Sequence, residues 1–102
     1  METVKFNKDY HKLNNRHFTT IRWTTSLLEG EKVIIKSPFK KFTAKVTGIG
    51  KMQLYKVADS TLTYDTDTLT RDGALEELKK YYPRITWQTE VYVISFMRLE
   101  GE

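Results

Sequence analysis

Arg16-His17-Phe18-Thr19-Thr20-Ile21-Arg22-Trp23 is the stretch whose residue types and spacing could carry chemistry. If residues 18–23 run as a strand, Phe18, Thr20 and Arg22 share one face, and Thr19, Ile21 and Trp23 share the other. A Thr hydroxyl beside a guanidinium suits a polar planar group or a phosphate, because the guanidinium offers a fixed fork of donors. His17 is a base near neutral pH. The same residues have a plain structural use: Arg22 pairing with a carboxylate, Thr20 filling a β position, His17 exposed where the strand starts. Spacing alone favours that plain use.

Other chemistries drop out quickly. With no Cys, disulfides, thiolate metal sites and a Cys nucleophile are excluded. His11 and His17 lie six apart, so they do not share a helix face, and no HExxH motif exists. Asp65 and Asp67 start like a calcium loop, but Thr70 stands where that loop needs Gly and the closing acid is missing. Gly48-Ile49-Gly50 lacks the rest of a phosphate loop, and no serine sits in a nucleophile elbow. No metal site and no cofactor are expected.

At 102 residues the chain fits one domain, residues 1–102, and 13% aromatic residues can fill its core. Val4 and Phe6 alternate with polar neighbours as a short strand. Asn7 is placed to cap a short helix through Tyr10 and Leu13. Residues 18–23 form a strand, and so do residues 32–36, which Ser37-Pro38 ends. Phe42, Ala44 and Val46 alternate as a half-buried strand, and Gly48 and Gly50 allow a bend or bulge before Met52, Leu54, Tyr55 and Val57 resume an apolar pattern. Residues 59–70, rich in Thr and Asp, read mostly as loop. Asp72 is placed as the cap of a second helix with Leu75, Leu78 and Tyr82 on its apolar face, which Pro83 stops. Residues 91–99 make the last strand. Five or six short strands with two helices predict an α+β domain whose sheet curls into a small barrel.

Charge is uneven along the chain. Residues 1–51 hold 11 Lys and Arg against 4 Asp and Glu, while residues 52–102 hold 6 against 9. Lys32, Lys36, Lys40, Lys41, Lys45 and Lys51 follow one another with no acid between them. Such a surface attracts polyanions, and it also protects a sheet against edge-to-edge aggregation. No apolar run is long enough for a signal peptide or a membrane span, so no membrane contact and a cytoplasmic location are the expectation.

Five short pieces then occur in order: Thr20-Ile21-Arg22, Gly30-Glu31-Lys32-Val33, Asp67-Thr68-Leu69-Thr70, Glu77-Leu78-Lys79-Lys80 and Tyr92-Val93-Ile94-Ser95-Phe96. Together they resemble the ASCH domains, a PUA-like β-barrel superfamily, over nearly the whole chain. Within it the chain looks most similar to the small bacterial amidohydrolases that remove the acetyl group from 4-acetylcytidine. The resemblance implies a barrel with flanking helices, a cleft beside the Thr20-Ile21-Arg22 strand, and a nucleoside or RNA ligand.

The departures bear on activity. ASCH domains carry a Gly-x-Lys-x-x-x-x-Arg motif, in which Asn15 here replaces the Gly and His17 the Lys, while Arg22 is kept. Of the amidohydrolases' proposed Lys, Thr and Glu, only the Thr is present, as Thr20. Asp72 is the acid nearest the segment that would hold the Glu. The resemblance therefore implies first an RNA- or modified-nucleoside-binding domain. Its ligand groups would be Arg22, Phe18 and Trp23, and its nucleic-acid surface Arg16, Lys36, Lys40, Lys41 and Lys45. The alternative is an amidohydrolase with Thr20 as nucleophile, His17 as base and Asp72 as acid. A monomer is assumed.

Overall fold

The β-rich halves of the sequence meet in one five-stranded sheet in the computed structural model, which describes residues 1–100. The strands are β1 (Glu2–Lys5), β2 (His17–Arg22), β3 (Lys32–Lys36), β4 (Lys41–Gln53) and β5 (Glu90–Arg98). Their order across the sheet is β1-β3-β4-β5-β2, with β1 and β3 parallel and the other pairs antiparallel. Two helices, α1 (Asp59–Thr66) and α2 (Arg71–Lys79), lie between β4 and β5 in the chain. None of the helices is long and apolar enough to cross a membrane, among the described residues.

Alternation along the strands sorts side chains into two cores. Val33, Ile35, Phe42, Ala44, Val46, Ile94 and Phe96 pack on one face with Phe18 of β2 and with Phe6, Tyr10 and Leu13 from the N-terminal segment. Phe18 stacks on Phe96 and meets Phe42 edge-on, with centroids 5.2 and 5.9 Å apart. On the opposite face Ile21 and Val91 pack against Leu54, Val57, Leu62, Ala74, Leu78 and Ile85. The helices therefore cover the β2–β5 half of that face. The β1–β3–β4 half carries lysines.

The sheet does not close into a barrel. β1 and β2 are its two edges and share no strand-to-strand ladder. What crosses between them is side chain: Arg22 Nη2 donates to the Lys5 carbonyl over 3.1 Å, and Ser26 Oγ donates to Glu2 over 3.0 Å. A four-residue β1 leaves the seam a groove lined by side chains rather than a sixth ladder.

Other departures have local causes. The expected N-terminal helix is only a 3-10 turn at His11–Asn14, and no side chain caps it. The irregularity expected at the glycines is a bulge at Val46/Gly48 that absorbs one extra residue, and β4 continues past it as one strand to Gln53. Leu54–Lys56 is a 3-10 turn and not strand. Residues 59–66, expected as loop, form α1, whose buried residues Leu62, Asp65 and Thr66 include one apolar side chain. The cap of α2 is Thr70, whose hydroxyl accepts from the Gly73 N–H over 3.0 Å, so Asp72 is an exposed first-turn residue. Gly73 suits that cap, since a Cβ there would stand 3.2 Å from the Thr70 hydroxyl.

Candidate functional site

A cavity of about 130 Å³ opens where the β1–β2 seam meets the two helices. Its wall is assembled from five pieces of chain: Phe6 and Tyr10 after β1, Lys12 in the 3-10 turn, Thr20 and Arg22 on β2, Asp65 on α1 and Glu77 on α2. Tyr81 and Tyr82, just past α2, complete it.

Lys12 enters the wall because the 3-10 turn is tied to α1. Asp67 ends α1 in the left-handed conformation, with φ 55°, and its carboxylate accepts from the His11 N–H over 3.0 Å. That bond sets the next residue, Lys12, beside Asp65, with Nζ 3.8 Å from Oδ1. Lys12 is only 2% exposed. Its ammonium also lies over the Phe6 and Tyr10 rings, 5.1 and 5.3 Å from their centroids. Burial lowers its pKa to about 8, against the upward pull of Asp65. Asp65 is buried too, and burial raises its carboxyl although Lys12 and the Thr19 hydroxyl pull the other way. Thr19 donates to Asp65 Oδ1, whereas Oδ2 is buried without a partner.

On β2 the Arg22 guanidinium turns back along its own strand, and Nε donates to Thr20 Oγ1 over 3.1 Å. Thr20 is buried. A guanidinium donating to that oxygen stabilises negative charge on it and leaves the hydroxyl hydrogen to face another group. On the helix side, Glu77 accepts from the Tyr10 hydroxyl over 3.2 Å and from Lys80 over 3.0 Å, with Lys8 at 3.5 Å. Burial would lift the Glu77 carboxyl, but Lys80, Lys8 and Tyr10 outweigh it and hold it below the ordinary range. The Tyr10 and Tyr81 hydroxyls meet at 3.0 Å. Three cations, Lys5, Lys12 and Arg22, and two anions, Asp65 and Glu77, thus line a space walled by aromatic rings.

The structure brings together some of the residues named from sequence and separates others. Thr20 and Arg22 line the cavity. Trp23 stands outside it but leans on Tyr82, with centroids 5.6 Å apart. Phe18 is buried in the apolar core and does not line the seam cavity. His17 is exposed on the other face of β2 from Thr20, and Asp72 is exposed on α2, so neither is near the Thr20 hydroxyl.

The basic residues divide as well. Lys5, Lys36 and Lys41 stand in register across β1, β3 and β4, and Lys32 faces Lys45. Like charges directly opposite cost stability, so these rows favour an anion across them. Lys5 belongs both to the row and to the cavity wall. Arg16 precedes β2 at the far edge of the sheet, and Lys40 lies in the turn before β4.

Lys12, Asp65 and Glu77 are the site residues that sequence reasoning missed. Helical spacing was the available signal: Glu77 falls three after Ala74 and four before Tyr81, and Asp65 three after Leu62. No comparable signal marks Lys12. No known protein family, characterised protein or solved structure matches the chain.

Proposed function

We propose that the chain is an ASCH-like domain that binds a modified nucleoside, free or within RNA, by seating one ring in the seam cavity. The observation that carries this reading is the cavity itself, with Lys12, Thr20, Arg22 and Asp65 around about 130 Å³ of space. An apolar cavity of about 150 Å³ takes up benzene, so a six-membered ring is the right size of occupant. Tyrosine and phenylalanine side chains give the ring faces to pack on, and the buried charges give its edge hydrogen-bonding partners. Phosphates would then follow Lys5 onto the row it shares with Lys36 and Lys41.

The test is a titration with 4-acetylcytidine, cytidine and a short single-stranded RNA, followed by Trp fluorescence. Trp23 reports on the cavity through Tyr82. Saturable nucleoside binding that Arg22→Ala removes is the expected result. Binding of RNA alone, steeply weakened by salt and unchanged in Arg22→Ala, would move the site to the lysine rows and defeat the cavity reading.

One observation favours a second reading, amide hydrolysis: a buried lysine with its pKa near 8 shares the cavity with Thr20. In that reading Lys12, not His17, is the base. Thr20 Oγ1 bonds to the acetyl carbon as the C–N bond breaks, and its proton passes through Lys12 to the leaving nitrogen. Water then cleaves the Thr20 ester and releases acetate. The same titration, checked for cytidine and acetate, decides it. Turnover lost in both Thr20→Ala and Lys12→Met supports hydrolysis, and binding without product leaves a reader.

A further inference from the structure

We propose that Asp65 selects the ligand, by accepting a hydrogen bond from a neutral N–H on the edge of the seated ring. The inference rests on the cavity reading above and adds what the ring must carry. Asp65 stands in the cavity wall and is 4% exposed. Its Oδ1 is occupied by the Thr19 hydroxyl and faces the Lys12 ammonium at 3.8 Å. Its Oδ2 is buried with no donor. Buried carboxylate oxygens are rarely left in that state, because the lost hydration is not repaid.

The missing donor is not a metal ion. A hard cation needs several oxygen ligands, and no group of three His, Asp or Glu among the described residues could hold one. Nor is it a charged amine, since Lys5, Lys12 and Arg22 already outnumber the two carboxylates of the cavity wall. A neutral amino or imino N–H meets Oδ2 without that repulsion. Lys12 beside it supplies a donor for a ring nitrogen or carbonyl next to that N–H. The pair therefore reads a donor adjacent to an acceptor on one edge of a small heterocycle, and rejects rings that lack the donor.

The experiment compares cytidine with the riboside of pyrimidin-2-one, which has the same ring and sugar but no amino group. Both are titrated into the full chain and into Asp65→Asn. In the native protein cytidine binds tighter by about tenfold or more. In Asp65→Asn the amide oxygen serves Thr19 and the amide NH₂ replaces Oδ2, so the preference collapses. Equal binding of the two ligands to the native protein overturns the role of Asp65 and leaves the cavity reading intact. So does a preference that survives in Asp65→Asn. If neither riboside binds, the cavity reading falls and takes this one with it. Should Asp65→Asn fail to fold, the native comparison alone decides.

Discussion

β2 runs from one kind of interior into another. At Phe18 the strand enters a dry core, where Val33, Ile35, Ala44, Val46 and Phe96 are buried side chains without a polar atom. Two residues on, at Thr20, the same face lines a cavity whose buried groups include Lys12, Asp65 and Glu77. The first region gains free energy from every atom it hides, about 1.5–3 kcal/mol for each large side chain. The second takes charges out of water and regains only part of the cost through pairing. A fold needs the first and has no mechanical need of the second. That difference is the reason to place function at the cavity and not at the aromatic cluster.

The largest expected effect is in the dry region. Phe96→Ala removes a ring that is 1% exposed and stacked on Phe18, and costs about 3–5 kcal/mol in urea unfolding. The variant that remains folded should still bind ligand with native affinity, because Phe96 does not reach the cavity. If affinity falls in step with stability, the two regions are one cooperative unit and the contrast is lost.

A smaller effect sharpens the other side. Lys12 titrates at about 8 when folded, against an ordinary value of 10.5. Between those values the unfolded chain holds the extra proton, so stability rises as pH climbs. By pH 10 the gain from this group is ~2 kcal/mol. Tyr10 acts in the opposite sense: burial, then Tyr81 and Glu77, raise its phenol above the ordinary 10.0. Above that pH the unfolded chain ionises first and stability falls. The urea midpoint should therefore climb from pH 8 to 10 and drop beyond it. In Lys12→Met the climb disappears while the drop remains. A native profile that is flat from 8 to 10 would mean that Lys12 is solvated, and the cavity would lose its cost.

This division also explains what the sequence could disclose. Alternation marks the first half of β4, and apolar β-rich runs mark β3 and β5, because buried strands write their burial in apolar residues. Alternation likewise marks the shared face of Thr20 and Arg22. α1 escaped because Leu62 is the one apolar residue on its buried side, and Thr and Asp runs look like loop. Lys12 and Asp65 escaped because a buried ion pair has no local signature: the partners are 53 positions apart and each looks solvated alone. Barrel closure was overstated because strand count says nothing about whether two edges meet. Across this seam the strand edges are joined by side-chain hydrogen bonds from Arg22 and, just past β2, Ser26 rather than by a ladder.

The smallest predicted effect concerns the element that carries Glu77 and Tyr81 to the cavity. α2 begins at Thr70, extended at φ −138° and ψ 160°, with its hydroxyl on the Gly73 N–H. Thr70→Ala leaves that donor without a side-chain partner and should cost ~1 kcal/mol. Asp72 makes no such bond and contributes only through the helix dipole from an exposed first turn, so Asp72→Ala should cost ~0.3 kcal/mol. The pair of substitutions separates cap from bystander by urea unfolding, and the reverse ranking would return the cap to Asp72. Thr70→Ala should also weaken ligand binding slightly, since fraying the first turn loosens the helix that holds Glu77 on the Tyr10 hydroxyl. Asp72→Ala should leave binding unchanged, which ties the polar side of the molecule to the geometry of one cap and not to the charge next to it.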